Sequence, residues 1–399
     1  MAKITIKKDS TGERMPFLRG VLVQSIVTAG LSFQDAYQVA QQIRKKLEED
    51  TGEIGTDKLE GRVAGILRDQ FDDNTADAYL AGPDSTRPTI VVSPSGHRPL
   101  STTLLTRSLE ACAISREKAL DVARRVQEAL LRNNIFEVDK PTLSRVIYQN
   151  LQEHLNQKSA DRYLSWRHFK DSGEPLIVMV GGITGTGKST VANELGYRLN
   201  VVRTQSTDML REIVRCYLAP EEVPTLAYSS FEAWKGLPSE QEFPELGPDV
   251  SPVIAGFHSQ FNIVRVGLEA TLARAVKERH DLIIDGIHVL PTELELEAEK
   301  RNAVVVPVVL VVATREILAS RLTDRGHEQP GRASSRYLEH LGEIWELQSY
   351  LVDMADKGEV EMIFNWDVEE TVTEILERIT RRICERFPPD ESQILARDK

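Results

Sequence analysis

The chain has 399 residues, of which 41% are hydrophobic and 28% charged, with 49 Lys and Arg against 61 Asp and Glu. That is enough apolar material for two or three domains of about 100–200 residues each. A net charge of −12 argues against a non-specific nucleic-acid binder, which needs clustered cations, and the scattered Cys112, Cys216 and Cys384 argue against a disulfide-stapled fold or a zinc ribbon.

The N-terminal stretch MAKITIKKDSTGER lacks the apolar core of a signal peptide. The longest apolar run, Ala303–Ala313, contains Pro307 and falls short of the ~18 residues that span a bilayer. A cytoplasmic protein with no membrane or nucleic-acid partner is the expectation, and a homo-oligomer is compatible with it. Two similar segments follow, Ile4–Leu80 and Ile90–Leu164. Ser32–Ala40 aligns with Ser115–Ala123, and the closing Ala-Asp-Ala-Tyr-Leu at Leu80 returns as Ala-Asp-Arg-Tyr-Leu at Leu164. Each copy reads as a short strand or hairpin, with a turn at Thr11-Gly12 in the first, followed by a helical bundle. Ser32 and Ser115 are predicted N-caps. A linker at 81–88 separates the copies, and a second at Lys170–Pro175 precedes a different pattern.

From Leu176 strands alternate with helices. Continuous apolar runs predict buried parallel strands at Leu176–Val180, Leu282–Ile284, Val304–Val312 and Met362–Phe364, with a fifth near Asn200–Arg203. Helices are predicted at Ser189–Leu199, Gln260–Arg279, Thr314–Thr323, Ser335–Lys357 and Glu369–Glu385. The fold class is therefore α/β, a P-loop NTPase doubly wound parallel sheet behind two mainly helical domains. The expected boundaries are 1–82, 88–168 and 174–390.

The segment Gly182-Ile183-Thr184-Gly185-Thr186-Gly187-Lys188-Ser189 fits the phosphate-binding loop, with an apolar strand before it and a helix after it. Its glycines allow a tight wrap in which backbone N–H groups face phosphate oxygens, and the helix through Thr190 adds its positive end. Lys188 is expected to reach the β- and γ-phosphates of ATP, and the Ser189 hydroxyl to ligate Mg²⁺. Asp285 ends an apolar strand, where it either orients Mg²⁺ or acts as base toward an acceptor hydroxyl. Asp208 is the rival base, or else the N-cap of a helix Met209–Tyr217. His288 lines the acceptor site or caps its loop. Arg315, Arg321, Arg325, Arg332 and Arg336 would bring positive charge to the transferred phosphoryl group, with Arg321 and Arg325 on one helix face. An anionic acceptor on an acidic protein needs local cations, for which Arg211 and Arg265 are the leading candidates.

The phosphate loop, Ser206-Thr-Asp208-Met-Leu-Arg211, Gly256-Phe-His-Ser-Gln260, Ile283-Ile-Asp285-Gly-Ile-His288, Arg336-Tyr-Leu, Gln348-Ser-Tyr-Leu and Ile363-Phe-Asn365 follow one another in order. This series, about half the chain, resembles the archaeal-type 2-phosphoglycerate kinase family. In that family a Glu often stands where this chain has Asp285. The resemblance implies ATP-dependent phosphorylation of a small phosphorylated acid, with 2-phosphoglycerate giving 2,3-bisphosphoglycerate. A same-fold kinase of a phosphorylated inositol or phosphomevalonate is the alternative, and a non-enzymatic nucleotide sensor a second one. The first copy, with Lys7-Lys8-Asp9-Ser-Thr-Gly12, then Phe17, Ile26 and Ala29-Gly30, resembles an ATP-cone, which implies a regulatory nucleotide at 1–82. The second copy lacks the basic pair and resembles a degenerate cone.

Overall fold

The duplication seen in the sequence recurs element by element in the computed structural model. The first copy runs strand Thr5–Lys7, strand Arg14–Pro16, helix Arg19–Thr28, helix Phe33–Glu49, strand Glu53–Gly55, helix Thr56–Gln70 and helix Asp73–Leu80. The second repeats that series as Ile90–Ser93, Gly96–Pro99, Thr102–Glu110, Arg116–Arg132, Glu137–Asp139, Lys140–His154 and Gln157–Ser172. In both, the first strand is the middle of a three-stranded sheet, between the second strand and the third. The third strand escaped the sequence reading because three residues between two helices are too short to show a period. The structure describes residues 5–7, 14–29, 31–49, 53–80, 89–93, 96–133, 135–238, 249–290, 302–328 and 334–390. The predicted turn at Thr11-Gly12, the linker at 81–88 and Lys8 lie outside them; Lys7 ends its strand exposed.

The chain divides into two compact units, one of Met1–Ile90 with His97–Pro99 and Asn134–Glu137, the other of Val91–Gly96, Leu100–Asn133 and Val138–Lys399. Of the predicted caps, Ser32 accepts the Asp35 N–H at 3.2 Å. Ser115 occupies the cap position of Arg116–Arg132, but its side chain takes no helix N–H. In the second unit the helix Gln157–Ser172 takes the first half of the predicted second linker and stops at Gly173, whose φ of 69° suits a left-handed C-cap. Asp281 then ties the junction, accepting from Lys170 Nζ at 2.6 Å and from Leu176 N at 2.8 Å. The helical module also grips the helix that follows the phosphate loop, Lys188–Leu199. Arg107 Nε donates to the Tyr197 carbonyl at 3.1 Å, and its guanidinium donates to Asn200 Oδ1 at 3.1 Å. A cation there matches the negative end of the helix.

The main sheet has five parallel strands in the order Met362–Phe364, Val304–Val311, Leu176–Gly181, Leu282–Gly286, Thr204–Ser206. Leu176–Gly181 is central and buried throughout. The chain leaves it toward one edge and later crosses to its other side, which creates the crevice at the carboxyl ends of the strands where ligands of such sheets bind. The fifth strand lies a few residues beyond the predicted Asn200–Arg203, since Asn200 is spent as the left-handed C-cap of the preceding helix and Val202 is exposed. The predicted helix Gln260–Arg279 starts earlier, as Pro252–Glu278, because Ser251 caps it and Pro252 suits its first position. The predicted Ser335–Lys357 is two helices, Ser334–Glu339 and Leu341–Lys357, joined at His340. The cores on the sheet include Phe257, Phe261, Leu318 and Leu347 in one cluster and Met179, Leu268, Leu272 and Ile284 in another. Among the described residues no helix is long and apolar enough to cross a membrane.

Candidate active site

The phosphate loop joins Leu176–Gly181 to Lys188–Leu199, whose first N–H groups have no intrahelical acceptor and point at the loop's concavity. Gly187 caps the helix at φ 81°, and a Cβ there would lie 2.5 Å from Asn365 Nδ2. That contact exists because Asn365 supports the loop from beneath. Its amide donates to the Thr186 carbonyl at 2.7 Å, its own Oδ1 accepts from Thr371 at 2.9 Å, and its carbonyl accepts from Arg321. Lys188 Nζ folds back to the Ile183 carbonyl at 3.4 Å.

Asp285 stands on the neighbouring strand Leu282–Gly286, 6% exposed, and its Oδ2 accepts from the Ser189 hydroxyl at 2.7 Å. A serine hydroxyl beside a carboxylate at the phosphate loop offers the hard oxygen donors that Mg²⁺ takes when phosphates and water fill the rest of its shell. Among the described residues no set of three His, Cys, Asp or Glu side chains gathers as a protein-only metal cage. The pair Ser189–Asp285 therefore fits a metal shared with a nucleotide.

Across from it, the helix Thr207–Tyr217 is capped by Ser206, whose Oγ accepts the Asp208 N–H at 3.2 Å. The capping duty falls to Ser206 rather than to Asp208, and the Asp208 carboxylate lines a cavity of about 440 Å³. Ile183, Thr184, Lys188 and Ser189 line its phosphate-loop side, and Asp208, Arg211, Ser229, Ser230, Phe231 and Tyr337 the other. Arg211 donates to the Tyr228 carbonyl at 3.3 Å and to Glu212 at 2.9 Å, while its Nε is buried with no hydrogen-bond partner.

A family model described as an AAA domain matches residues 178–342. A 2-phosphoglycerate kinase of Pyrococcus horikoshii is 38% identical over 287 residues, which cover 72% of this chain and 91% of that protein. The chain belongs to the 2-phosphoglycerate kinase family. The 2-phosphoglycerate kinase of Methanopyrus kandleri is 34% identical, with 71% of this chain and 85% of that one covered. Two solved kinases are also similar, a gluconokinase from Sinorhizobium meliloti (17% identical, TM-score 0.30, 53% of this chain and 96% of that one) and a shikimate kinase from Bacteroides thetaiotaomicron (17%, TM-score 0.29, 51% and 97%).

In this member of the 2-phosphoglycerate kinase family, the residues singled out in the sequence fall into two groups. Lys188, Ser189, Asp208 and Arg211 share the cavity, with Asp285 bonded to Ser189 at its edge. His288 and Arg265 do not line it. Arg265 pairs with Glu269 along its own helix at 2.6 Å. Of the five arginines, Arg315 lies over the Trp345 ring, Arg321 holds Asn365, and Arg336 binds Glu232 and Ser229. Arg332 and the Arg325 side chain lie outside the described residues. The sequence reading missed the work of Asn365, although the tripeptide Ile363-Phe-Asn365 was visible. A polar residue closing an apolar edge strand was the available signal. A further cavity of about 330 Å³ near Pro307, away from the phosphate loop, is lined by Arg378 and Arg381, both paired with Glu361.

His288 is fully buried and belongs to the frame behind the start of the helix Thr207–Tyr217. Gln260 Nε2 donates to the Thr225 carbonyl at 2.8 Å and to the Tyr228 carbonyl at 3.0 Å. Its Oε1 is therefore left to accept from His288 Nε2 at 2.9 Å, which assigns the ring proton to Nε2, and Nδ1 accepts from Thr207 Oγ1 at 3.2 Å. Gly286 leaves room for that threonine, which a Cβ would strike. Burial pushes the His288 imidazole down from 6.5 to about 3, with Asp208 opposing and Arg211 and Lys188 adding to the effect. The unfolded chain binds a proton at His288 below about pH 6.5 and the folded chain does so only near 3, so folding stability is lost as pH falls through that window. Melting temperatures from pH 7.5 to 5 should fall steeply for the wild type. His288→Gln should be less stable at pH 7.5 and show a flatter slope; an unchanged slope would remove His288 from the account.

Proposed function

We propose that the protein transfers the γ-phosphoryl group of ATP to the free hydroxyl of 2-phosphoglycerate, giving 2,3-bisphosphoglycerate. The observation that carries this reading is the single cavity in which Lys188 and Ser189 face Asp208 and Arg211. The relatives named 2-phosphoglycerate kinase supply the acceptor.

The residues divide the chemistry between them. The phosphate-loop N–H groups and Lys188 hold the β- and γ-phosphates, and Lys188 follows the charge that builds on the transferred group. Ser189 and Asp285 would hold Mg²⁺, which would supply neutralising charge to the triphosphate. Asp285 is nearly buried beside Ser189 and does not line the cavity, whereas Asp208 is exposed and lines it opposite the phosphate loop. Asp208 is therefore assigned as the base that takes the acceptor's hydroxyl proton as the new O–P bond forms. Arg211 and the Ser229–Ser230 hydroxyls, which line the cavity, would meet the acceptor's phosphate and carboxylate. Arg321 acts one step back, by holding Asn365 under the loop.

Asp208→Asn keeps shape and loses the base. Acceptor-dependent ADP release is expected to fall by about 10²–10⁴-fold with the ATP KM nearly unchanged. A variant that releases ADP at the wild-type rate would show that Asp208 is not the base.

A further inference from the structure

Beside the acceptor end of the cavity lies a buried carboxylate that touches none of it. Glu232 is only 8% exposed, in the turn between the short helices Pro224–Ala227 and Ala233–Gly236. Three side chains converge on it, two of them cations. Lys235 Nζ donates to its Oε1 at 2.7 Å, Arg336 Nε donates to its Oε2 at 3.0 Å with a second nitrogen on the same oxygen, and His340 Nε2 lies 3.2 Å from its Oε1. Burial works against the charge, but the bonds from Lys235 and Arg336 outweigh it and hold the carboxyl below its usual value.

Glu232 is not itself a lining residue; its neighbours Ser229, Ser230 and Phe231 are, and so is Tyr337 beside Arg336. Arg336 reaches both, since its terminal nitrogen also donates to Ser229 Oγ at 3.1 Å and its guanidinium lies 5.9 Å over the Phe231 ring. Phe231 in turn meets Tyr337 at 5.7 Å and His340 at 5.5 Å between ring centroids. His340 Nδ1 faces Glu343 at 3.0 Å, which anchors the cluster in the helix Leu341–Lys357. Two segments about a hundred residues apart in sequence are thus joined at one carboxylate.

We propose that Glu232 is the positioning residue of the acceptor wall: through Arg336, Lys235 and His340 it locks the 224–236 loop to the helix Ser334–Glu339, so that Ser229, Phe231 and Tyr337 form one rigid face. This rests on the reading of that cavity as the acceptor site. The fork of Arg336 matters as much as its charge, since a lysine could not hold Glu232 and Ser229 together.

The test uses the full chain with Glu232→Gln, Arg336→Lys and the double variant. Each single change is expected to raise the acceptor KM about tenfold while the ATP KM stays within about twofold, and the double variant to be about as impaired as the worse single one, since both break one lock. A parallel rise in the ATP KM, additive effects or an unchanged acceptor KM would overturn the proposal. Amide hydrogen exchange gives an arm that needs no turnover. In Glu232→Gln, peptides from 224–237 and 334–340 should exchange about tenfold faster, with the 188–199 helix unaffected. Unchanged exchange overturns the lock even if the wild type phosphorylates nothing, whereas wild-type inactivity with altered exchange removes the acceptor reading and leaves the lock standing.

Discussion

Lys188→Ala is expected to lower kcat by about a thousandfold and to weaken Mg-ATP binding, with the fold intact. Phosphoryl transfer asks the protein for position and charge rather than covalent help, so one lost cation at the transferred group carries a large share of the rate. Lys188 is the cation that the cavity places beside Ser189, and its amine donates to the Ile183 carbonyl at 3.4 Å. The melting temperature without ligand checks that the variant folds, and nucleotide binding should register in the presence of ligand. A ligand at 100 times its Kd stabilises the folded state by about 2.7 kcal/mol, and the variant should lose most of the corresponding thermal shift with Mg-ATP. A variant that retains both kcat and the shift would mean that the loop does not serve transfer.

Asp285→Asn separates the metal side from the base. The asparagine keeps an oxygen for the Ser189 hydroxyl at the 2.7 Å position but loses the charge that favours Mg²⁺. The expected result is a kcat/KM lower by about 10²–10³-fold, with the Mg²⁺ dependence displaced to about tenfold higher concentration. Asp208→Asn should leave the Mg²⁺ dependence in place. The reverse pattern, with Asp208→Asn shifting the metal titration and Asp285→Asn leaving it alone, would exchange the two roles. Asp285 is nearly buried, so folding of the asparagine variant is checked by its melting curve.

What could be read from the sequence is what short windows encode. The phosphate loop, the apolar strands around it and the carboxylate at Asp285 each sit within one strand–turn–helix window, and the structure places them in one crevice. The duplication was legible because Ala-Asp-Ala-Tyr-Leu and Ala-Asp-Arg-Tyr-Leu recur at a matching place in each copy. The failures are of two kinds. Boundaries shifted where a cap or break depends on one residue, as with Ser206 in place of Asp208, Ser251 before Pro252, and the break at His340. Residues whose partners are distant in the chain gave no local signal. Asn365 reaches Thr186, Gln348 bonds both backbone groups of Val312 at 2.9 Å, and Glu232 gathers Lys235, Arg336 and His340. His288 shows the same limit, since a histidine after an apolar strand suggests a site residue, and only the distant Gln260 and Thr207 reveal it as frame.

The arginine segment shows how fold and function diverge in such a reading. Five arginines in an acidic chain suggest one mobile, phosphate-seeking surface, yet the three that can be followed bind an indole ring, a carbonyl beneath the loop and a buried carboxylate. Two of these contacts, at Asn365 and at Glu232, support the phosphate loop and the loop that carries Ser229. The cation that lines the cavity opposite the phosphate loop is Arg211, from a different helix.

The central claim is a specific transfer between two phosphorylated substrates in one cavity. Phosphorus NMR of the full-length protein with Mg-ATP and 2-phosphoglycerate reads it directly. The account predicts equal growth of ADP and 2,3-bisphosphoglycerate signals, dependent on enzyme and abolished in Lys188→Ala. ATP consumed without a new ester signal, or no consumption at any acceptor concentration, would contradict it.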